Sequence, residues 1–559
     1  MKSIVIVLSF FLVLVQDSLG LADQQVDEQV SPAHSKSHGC ALRVLDAKKY
    51  KSVCVCNSTY CDEFDFKWPT KRGEGLFVQT TKTGLRFYGH NLSKNDQEVA
   101  VASISPESSS SIDHASDVIE LTVNITSERQ SILGFGGAFT DAAGINIQGL
   151  PKRLRRRLME SYFGKHGSQY TFGRVVIGGA DFSTRAYSLD DRPDGSSDFN
   201  LTHWSLAPED HKYKIPLIKE AKKLVKSYKS SLSLFGSSWS PPAFMKTSHS
   251  LVRGHLIETD QVYRSNAQYL VKFYEAYKSE GIDFWGGTVQ NEPVASDSRF
   301  YNFNSLEMSP EEAIKFVGKY LGPALAASGY TRDNFKLMVN DDNIDALLKQ
   351  VPTILADADV RKYVAGVAFH WYNDGRVPYN VLSECYDKVK DKVEFFLMTE
   401  ACIIPGILDK AVDLGSWERG ERYANDIIED LRRHSAGWVD WNLALDQKGR
   451  PNWVHGFVDS PVIVNRNRAE FYKQPMYYVL AHFSRFFRPG SVVIDVSVSG
   501  LSDDNQLMAV AAHKKDSGHL IVNVLNKSKD SKNLRIRVLG VSRDVIVHGM
   551  SMNTVVVKL

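Results

Sequence analysis

The sequence predicts an α/β protein with a central (β/α)8 TIM barrel, a β-sandwich domain built from both termini and a small disulfide-stapled antiparallel sheet. Between about residues 134 and 440, apolar runs of strand length alternate with helical segments, which is typical of a parallel sheet with crossover helices. Near both ends of the chain, short stretches of alternating polarity are separated by polar turns, which indicates antiparallel strands. Polar side chains follow the central strands at their carboxyl ends, and this favours a barrel with its site on one face.

The composition is that of an ordinary globular protein with more than one domain. The chain has 559 residues, of which 43% are hydrophobic and 24% are charged. This is enough for one large domain and at least one smaller domain. The formal net charge is only +2 at pH 7, so nucleic acid is not an implied partner. Several of the 16 histidines would gain protons in an acidic compartment, and the more cationic surface would favour anionic membranes or acidic partners.

The N-terminus has the features of a secretory signal peptide. Lys2 provides a basic start, residues 4–15 form an apolar run too short to span a bilayer, and Ser18 and Gly20 allow cleavage near Gly20. No later run reaches the roughly 18 apolar residues that a spanning helix needs, so we expect the mature chain in a lumen or outside the cell. Asn-X-Ser/Thr triplets predict surface glycans at Asn57, Asn91, Asn124, Asn200 and Asn526.

The six cysteines are unevenly distributed, and this predicts two disulfides near the N-terminus. Four of them crowd into one short stretch: Cys40, Cys54, Cys56 and Cys61. In a secreted chain such a group is typical of disulfides that staple a small region, with three possible connectivities. A zinc site is the alternative for the same four residues. Cys402 lies far downstream and is expected to be a buried thiol.

Two β-rich ends flank the central region and predict one β-sandwich to which both contribute. Alternating runs at 75–80 and 118–123 indicate strands near the N-terminus, and a serine run at 108–111 marks a polar turn between them. The end of the chain has similar runs at 520–525, 534–538 and 554–557. We expect all of these strands to be antiparallel.

Strands alternate with helices through the central region. Ser309 is expected to cap a helix, with Pro310 at its first position and Glu312 completing a capping box, and helical periodicity follows over 313–327. Buried strands are expected at 175–177, 232–235, 284–289, 337–339, 364–369 and 393–397. A closed eight-stranded barrel fits this length, and an open doubly wound sheet is the alternative.

Polar or aromatic side chains stand at the ends of these expected strands. They are Asp181, Trp239, Asn291 with Glu292, Asp341 with Asp342, residues 370–372, Glu400 and Trp441. The carboxyl ends of parallel barrel strands meet at one face, and that is where barrel active sites lie. We therefore expect these side chains to form one pocket.

Glu292 and Glu400 are the strongest candidates for catalysis. Each follows an apolar run, and a charged group at the end of a hydrophobic strand is costly unless a site uses it. Either one alone could be an ordinary carboxylate in a loop salt bridge, but a pair with one protonated and one ionised member has the chemistry that breaks a glycosidic bond. The two pKa values should move apart, and Arg174 is expected to help keep the nucleophile anionic.

A series of short motifs surrounds these residues in a definite order. They are Cys54-Val-Cys-Asn-Ser-Thr-Tyr-Cys61, Gly134-Phe-Gly-Gly-Ala138, Asp181-Phe-Ser183, Ser238-Trp-Ser-Pro241, Asn291-Glu292-Pro293, His370-Trp-Tyr372, Thr399-Glu-Ala-Cys402, Val439-Asp-Trp-Asn-Leu-Ala-Leu445, Asn452-Trp453 and Phe457-Val-Asp-Ser-Pro461. Their kind and order resemble the glucosylceramidases of glycoside hydrolase family 30, from about Cys40 to the C-terminus.

The resemblance implies a role for each candidate. Glu292 would be the acid/base and Glu400 the nucleophile of a retaining glycosidase, and Tyr372 would orient the nucleophile. His370 is expected to be a hydrogen-bonding residue behind the site rather than a metal ligand. The expected sugar-binding residues are Asn291 at the 2-hydroxyl, Asp181 and Trp239 at the hydroxyls on the far side of the ring, and Trp441 in the pocket wall.

The resemblance also implies an activity, a location and partners. The expected enzyme hydrolyses glucosylceramide to glucose and ceramide through a covalent glucosyl-enzyme, without cofactor or metal. It would reach the lysosome by the secretory pathway, with secretion as the alternative, and would use an anionic lipid surface, a saposin-like activator and a sorting receptor. The alternatives are a related barrel glycosidase for another β-glycoside or a steryl glucoside, and a catalytically silent glycolipid-binding protein.

The domain limits expected from the resemblance follow from the same motifs. They are 1–20 for the signal peptide, 37–66 with 443–474 for the small disulfide-bearing β domain, 67–128 with 490–559 for the sandwich, and 129–442 with 475–489 for the barrel. The resemblance favours the disulfide pairs Cys40–Cys54 and Cys56–Cys61.

Two segments depart from the family pattern. Residues 452–457 read Asn-Trp-Val-His-Gly-Phe where the family has Asn-Trp-Val-Arg-Asn-Phe, and the loop 294–304 lacks a glycine-rich stretch. Both are expected to border the pocket entrance, where the aglycone and an activator would bind. The basic segment 152–157 is expected to be a solvated helix face, with docking of anionic lipid or an activator as the alternative.

Overall fold

The computed structural model describes residues 39–92, 118–297, 301–500 and 506–559, which form a closed barrel and two further sheets. The expected signal peptide lies outside the described residues. Within the described part of the chain, no helix combines the length and the apolar character needed to cross a membrane. The closed barrel and the two further sheets confirm the predicted α/β barrel with two accessory β-structures.

Eight parallel strands close the barrel, in the spatial order β6 to β13 with β13 paired to β6. Numbered in chain order, they are β6 (Gly134–Phe139), β7 (Phe172–Ile177), β8 (Ser233–Ser238), β9 (Gly286–Thr288), β10 (Lys336–Asn343), β11 (Val364–His370), β12 (Phe395–Glu400) and β13 (Ser435–Asn442). The closed order excludes the open doubly wound sheet.

Eleven α-helices lie in the described residues, and most of them follow barrel strands. They are α1 (Asp141–Gln148), α2 (Lys152–Phe163), α3 (Ile215–Lys226), α4 (Asp260–Ser279), α5 (Pro310–Phe316), α6 (Gly322–Ala327), α7 (Ile344–Ile354), α8 (Ala358–Arg361), α9 (Asn380–Val389), α10 (Trp417–Arg432) and α11 (Pro475–Ser484). Short π-helical turns occupy Asp210–Lys214 and Val317–Leu321, and 3-10 turns occupy Ala243–Met245, Ala295–Asp297 and Lys515–Ser517.

The barrel strands are apolar because both of their faces are covered. One face of each strand packs against the surrounding helices, and the other fills the barrel interior below the site. The interior cluster consists of Phe172, Phe235, Met338, Ala365, Ala368, Phe395, Leu397, Ala436 and Val439. With this volume filled by side chains, only the carboxyl ends of the strands can form an open pocket.

The expected helix after Ser309 is present with its capping box. The Ser309 amide donates to Glu312 Oε2 at 2.7 Å, and the Glu312 amide donates to Ser309 Oγ at 3.2 Å. The helical region runs from Pro310 to Ala327 as α5, a π-helical turn and α6. The sequence predicted the start and end of this region but not the π-helical turn within it.

The small sheet has five strands and carries both disulfides. Its strands are β1 (Leu42–Asp46), β2 (Lys51–Cys56), β14 (Leu445–Asp446), β15 (Val462–Asn465) and β16 (Glu470–Lys473), in the order β1-β2-β16-β15-β14. Bonds Cys40–Cys54 and Cys56–Cys61 confirm the favoured pairing and exclude a zinc site at these residues. The expectation of an antiparallel sheet is wrong at one edge, because β14 pairs with β15 in parallel.

The strands from both ends of the chain form one nine-stranded sheet that folds over on itself. They are β3 (Gly75–Thr81), β4 (Tyr88–Leu92), β5 (Ile119–Ser131), β17 (Val492–Ser499), β18 (Leu507–Lys514), β19 (His519–Asn526), β20 (Lys532–Val538), β21 (Val541–Val547) and β22 (Ser551–Lys558). Gln79 on β3 donates to the Ile546 carbonyl on β21 at 2.9 Å, although the two strands lie near opposite edges of the sheet. One face thus encloses its own apolar core, as a sandwich does.

One pairing in this sheet differs from the expectation that all its strands are antiparallel. Strand β20 pairs with β5 in parallel and with β21 in antiparallel fashion. Alternating polarity identifies a half-exposed strand but does not fix the direction of its neighbour, so the sequence could not distinguish the two arrangements.

The buried helix α11 joins the three sheets. Every residue of this helix is buried, because it contacts β6 of the barrel, β16 of the small sheet and both β3 and β22 of the sandwich. The His482 ring bridges two sandwich strands, with Thr80 Oγ1 at 2.9 Å and Thr554 Oγ1 at 2.8 Å. The three sheets are therefore packed around a common apolar helix.

The strands of each sheet lie within the ranges expected for one domain, except that β5 continues past residue 128 to Ser131. We propose these ranges as the limits of the three domains.

Of the expected glycan acceptors, Asn91, Asn124 and Asn200 are exposed and Asn57 is partly exposed. The expectation for Asn526 is corrected, because its side chain is fully buried and its amide donates to the Asp530 and His548 carbonyls, each at 2.9 Å.

Two glycines allow neighbouring barrel strands to approach closely where the barrel closes. A Cβ added to Gly136 on β6 would lie 2.0 Å from the Phe172 carbonyl oxygen, and one added to Gly437 on β13 would lie 2.0 Å from the Gly134 carbonyl oxygen. Both obstacles are backbone atoms, which cannot move aside without parting the strands.

We expect Gly136→Ala to lower the free energy of unfolding by about 3 kcal/mol or more, because the added methyl group forces β6 and β7 apart. Thermal unfolding of the purified protein would measure the effect as a lower Tm. Gly318→Ala is the control: its Cβ would meet no atom closer than 3.4 Å, so its Tm should match the wild type. An unchanged Tm for Gly136→Ala would contradict this account of barrel closure.

Candidate functional site

Glu292 and Glu400 lie together at the carboxyl end of the barrel. Glu292 follows β9, and Glu400 is the last residue of β12. One carboxylate oxygen of each lies within 4.8 Å of the other, and both lie within that distance of a ring nitrogen of His370. Retaining glycosidases hold their two carboxyl groups about 5–5.5 Å apart, whereas inverting ones hold them about 6.5–9.5 Å apart. The separation here fits the retaining arrangement.

The guanidinium of Arg174, on β7, connects the two sides of the site. It is completely buried, and its Nη1 donates to Glu400 Oε2. Its Nη2 donates to Asn291 Oδ1 and to Asp341 Oδ2, each at 2.8 Å, and its Nε donates to Ser237 Oγ at 3.2 Å. A planar group with donors in fixed directions can hold four partners at once in this way.

His370 links Glu292 to a buried aspartate. Its Nδ1 lies 3.1 Å from Glu292 Oε1, and its Nε2 lies 3.0 Å from Asp341 Oδ1. The Asp341 carboxylate also accepts the hydroxyls of Thr288 and Thr399, each at 2.7 Å. Asp341 therefore fixes both Arg174 and His370 from behind the pocket.

His370 and Asp341 are both charged. Burial lowers the pKa of His370, but Glu400, Asp341 and Glu292 outweigh burial and raise it to about 10. Burial raises the pKa of Asp341, but Arg174 and His370 outweigh burial and bring it below its ordinary value. The site therefore contains an imidazolium and a guanidinium, held by an aspartate that stays ionised.

The environment of Glu400 contains opposing influences. Burial raises the pKa of Glu400, Arg174 and His370 oppose the rise, and the charge of Glu292 adds to it. The Tyr372 hydroxyl also stabilises the carboxylate, because it donates to Glu400 Oε1 at 2.6 Å. The expectation from the sequence was that repulsion between the two carboxylates should move their pKa values apart. For Glu400, however, burial has the largest effect, and it raises the pKa.

Charge balance distinguishes the two glutamates. Arg174 and His370 supply two positive charges, and Asp341 and Glu400 supply two negative charges. Glu400 pairs directly with the guanidinium, so it is the better placed of the two glutamates to remain a carboxylate. The charges of Arg174, His370, Asp341 and Glu400 cancel, and a buried cluster is least costly when its charges balance.

The backbone around Glu292 is held in an unusual conformation. Glu292 has φ 44°, and Asn340 and Asp341 on β10 have φ 76° and 50°. Such angles are uncommon for residues other than glycine and are found where a structure has to aim a functional group. The Glu292 amide donates to the Asp341 carbonyl at 2.9 Å, and the Tyr301 hydroxyl donates to Glu292 Oε2.

Two tryptophans and the guanidinium form one wall of the pocket. The Trp239 and Trp441 rings are stacked with centroids 5.1 Å apart, and Arg174 Cζ lies 4.8 Å and 5.4 Å from them. Asn291 must point its amide nitrogen away from Arg174, because the guanidinium can only donate and therefore contacts the oxygen. Asn291 consequently offers a donor to any ligand in the pocket.

Asp181 lies on another side of the pocket, beside one of the segments that depart from the family pattern. Its Oδ2 accepts the Asn452 amide at 3.1 Å, and its carbonyl accepts the Trp453 amide at 3.1 Å. Burial and the charge of Glu400 raise the pKa of Asp181 well above its ordinary value. The segment after Asn452 thus supports a candidate sugar-binding residue directly.

An open cleft of about 1940 Å3 adjoins the nucleophile side of the site. Tyr372 and Cys402 line it, together with the loop that follows β12. In that loop the side chains of Ile404, Ile407 and Leu408 are 50%, 62% and 97% exposed. Basic side chains outnumber acidic ones around the cleft, so it combines an apolar wall with a cationic rim.

The ring nitrogens of His370 argue against a metal ion between the two glutamates. Glu292, His370 and Glu400 lie close enough to share an ion, but both nitrogens of the protonated His370 already face carboxylates. Cys402 is a buried thiol as expected, and burial raises its pKa well above the ordinary value. A neutral, buried thiol is not a nucleophile.

The structure brings all of the expected site residues to one face of the barrel. Two polar residues that contact this group, Asp341 and Tyr301, had no role assigned from the sequence. Asp342 is also buried, and burial and the charge of Glu292 raise its pKa to about 7. Both aspartates had been noticed at the end of their strand, and that position was the available indication. Tyr301 lies in the loop 294–304, which was expected at the pocket entrance, but nothing in the sequence shows that its hydroxyl reaches Glu292.

Comparison with known proteins agrees with this geometry. The model of the glycosyl hydrolase family 30 TIM-barrel domain matches residues 132–487. A Mus musculus protein named lysosomal acid glucosylceramidase is 37% identical over 90% of this chain and 93% of its own length. An endo-1,6-beta-D-glucanase of Neurospora crassa is 28% identical over 73% of this chain and 82% of its own. The crystal structure of SrfJ from Salmonella typhimurium, 25% identical, covers 87% of this chain and 100% of its own with a TM-score of 0.74.

We expect His370 to keep its proton from pH 5 to pH 8, because its pKa in the folded protein is raised to about 10. Its charged form therefore stabilises the fold fully below about pH 6.5, the ordinary value, and this contribution is lost as pH rises toward 10. NMR of protein with 15N-labelled histidine would report the ionisation, with His370→Gln identifying the resonance. A His370 signal that titrates near pH 6.5 would contradict the proposed charge network.

Proposed function

Because this chain belongs to glycosyl hydrolase family 30, we propose that it is a retaining β-glucosidase that hydrolyses glucosylceramide to glucose and ceramide. The observation that carries this proposal is the pair of carboxylates within 4.8 Å of each other, of which only Glu400 pairs with a guanidinium. That asymmetry provides one ionised and one protonable carboxyl group in the same pocket, as double displacement requires.

In the first step, Glu400 attacks the anomeric carbon while Glu292 protonates the departing oxygen. Glu292 Oε1 faces the His370 imidazolium, which can only donate. The transferable proton therefore belongs on Oε2, because the Tyr301 hydroxyl beside it can accept as well as donate. A new bond forms between Glu400 and the sugar, the glycosidic bond breaks, and ceramide leaves with the proton from Glu292. The guanidinium of Arg174 and the Tyr372 hydroxyl hold the attacking carboxylate in position.

In the second step, water replaces Glu400 on the sugar. Glu292 is now ionised and takes a proton from the water, whose oxygen attacks the anomeric carbon. The ester bond to Glu400 breaks, glucose leaves with its original β configuration, and Glu292 regains its proton. Two inversions at the same carbon give overall retention.

The remaining pocket residues are proposed to bind the glucose ring. The Asn291 amide would donate to the 2-hydroxyl, an interaction that can strengthen as the transition state forms. Asp181 and Trp239 would bind hydroxyls on the far side of the ring, and Trp441 would limit the pocket. The stacked pair of tryptophans supports this assignment because it offers a flat apolar wall beside the guanidinium.

The cleft beside Tyr372 supports a lipid aglycone. A ceramide carries long hydrocarbon chains, and Ile404, Ile407 and Leu408 provide an exposed apolar surface close to the nucleophile. The mouse relative is named for glucosylceramide, whereas the more distant Neurospora crassa relative is named for a polysaccharide. A polysaccharide needs no such apolar surface, so the cleft favours the lipid.

We propose that the enzyme works on an anionic lipid surface in the lysosome, to which the mouse relative's name refers. The basic rim of the cleft supports anionic lipid as the partner, because each basic side chain near such a surface gains about 1 kcal/mol. We also propose a saposin-like activator and a sorting receptor as partners of the enzyme.

We expect Glu400→Gln and Glu292→Gln to fail in different ways. Glu400→Gln should abolish turnover, because no covalent intermediate can form. Glu292→Gln should still be glucosylated by an aryl glucoside with a good leaving group, but its hydrolysis should be slow for lack of a base. Azide, which needs no base, should restore turnover of Glu292→Gln and yield a β-glucosyl azide, as product NMR would show.

Two results would contradict the assigned roles. One is full activity of Glu400→Gln, and the other is rescue of Glu292→Gln by azide with the α-configured product. Thermal unfolding of each variant serves as the control for folding.

We expect Leu408→Ser to reduce hydrolysis of glucosylceramide in anionic vesicles by about tenfold, because a side chain that is 97% exposed can enter the lipid interface. Hydrolysis of a soluble aryl glucoside should not change. Leu539→Ser is the matched control, since Leu539 is 57% exposed in the turn between β20 and β21 of the sandwich. If Leu408→Ser lost activity equally on both substrates, or lost none with vesicles, the proposed contact of Leu408 with the lipid interface would be contradicted. If the wild type did not cleave glucosylceramide, the proposed substrate would be contradicted.

A further inference from the structure

We propose that Asp374, Asp426 and Asp430 bind one calcium ion at a site separate from the glycosidase pocket. One carboxylate oxygen from each lies within 4.8 Å of those of the other two. Asp374 lies in the loop after β11, and Asp426 and Asp430 are one turn apart on α10. No metal was expected from the sequence, because the two catalytic carboxylates need none for hydrolysis, and only the fold brings Asp374 to the pair Asp426 and Asp430.

Unpartnered oxygens point to a missing positive ligand. Asp426 is well anchored: Oδ1 accepts the Tyr379 hydroxyl at 2.9 Å, and Oδ2 accepts Trp438 Nε1 at 3.0 Å. In contrast, no described residue donates a hydrogen bond to either carboxylate oxygen of Asp374 or of Asp430, and all four oxygens are closed off from solvent. Asp430 as a whole is only 1% exposed. Buried carboxylate oxygens without donors are too costly to remain without compensation.

The nearby arginines supply only part of that compensation, because Arg422 and Arg433 lower the pKa of these carboxyl groups by less than burial raises it. Arg422 carries its guanidinium 4.2 Å above the Trp371 ring, and Arg433 pairs with Glu429. Burial raises the pKa of all three aspartates, and for Asp374 the charges of Asp426 and Asp430 and a hydrogen bond that protonated Asp374 donates to Asp426 raise it further. Three carboxyl groups in this volume therefore need either protons or a cation.

The chemistry of the donors favours calcium. Hard divalent cations bind carboxylate oxygens, and calcium accepts six to eight of them at about 2.3–2.6 Å in a flexible geometry. Magnesium demands a near-ideal octahedron and keeps several waters, which a buried site with Asp426 already fixed by two donors cannot easily supply. Bidentate contacts from Asp374 and Asp430 would use the four oxygens that have no donor.

The ion would join two elements next to the active site. Asp374 is two residues after Tyr372, which donates to the Glu400 carboxylate. Between the loop and α10, Trp371 packs edge-on against Tyr423 with ring centroids 5.1 Å apart. Calcium would therefore fix the loop that carries Tyr372 to the helix behind it.

The test uses the full-length purified protein at neutral pH, where protons compete less for the same oxygens. After removal of metal by a chelator, equilibrium dialysis with radioactive calcium should give one calcium per chain. Titration with calcium chloride should raise the Tm by several degrees to a plateau. Bound terbium should luminesce on excitation of tryptophan, because the Trp438 ring nitrogen lies 3.0 Å from an Asp426 oxygen, and calcium should displace it.

Asp430→Asn should weaken calcium binding by about tenfold or more, since affinity depends on the number of charged ligands. Glu429→Gln is the matched control: it removes one charge from the adjacent residue of the same helix and should bind calcium like the wild type. If Asp430→Asn does not fold, Asp374→Asn replaces it.

Three results would overturn the proposal. The first is no saturable calcium binding by the wild type, and the second is wild-type affinity in the aspartate variants. The third is an equal shift in Tm with magnesium at the same concentration, which would reject calcium as the ion. Because these readouts do not depend on hydrolysis, they stand apart from the proposed glucosidase activity.

Discussion

The buried guanidinium of Arg174 is the group on which the site depends. It contacts the carboxylate of Glu400, the amide of Asn291 and the carboxylate of Asp341 at the same time. A single charge placed so deeply would be very costly by itself, and its partners would be costly without it. The charge network is therefore cooperative: loss of any member leaves another buried charge without compensation.

The same network explains why the backbone is strained where it is. Glu292, Asn340 and Asp341 have positive φ angles, which cost free energy but aim two carboxylates from neighbouring strands at a common centre. The apolar packing inside the barrel holds these strand ends and maintains the strain. Stability in the lower barrel thus supports precise geometry at its upper end.

Much of this arrangement could be predicted from the sequence, and the reasons are physical. Strands covered on both faces have to be apolar, so the polar residues that end them are conspicuous, and Glu292, Glu400 and Asp181 were found in that way. The capping box at Ser309 was predictable because its hydrogen bonds are local. The disulfide pairing needed the family resemblance, since spacing alone allowed three connectivities.

Other features could not be predicted, because they arise only when distant segments meet. Tyr301 contacts Glu292 from a loop without any motif, and the direction in which β20 pairs with β5 leaves no trace in its alternating polarity. The raised pKa of Glu400 reflects the extent of its burial, which the sequence does not report. Asn526 begins an Asn-X-Ser triplet of the kind that accepts a glycan, yet its side-chain amide is buried in the sandwich and donates to two backbone carbonyls.

The position of the last strand has a consequence for biosynthesis. Strand β22 lies between β19 and β3, so residues 551–558 connect β3 and β4, two strands from early in the chain, to the rest of the sheet. Strand β3 acquires β22 as a neighbour only after residues 551–558 have been synthesised, and its open edge must remain protected from misassembly in the meantime. Without β22 the sheet would be divided between β19 and β3, and each of these strands would present an open edge that quality control can recognise.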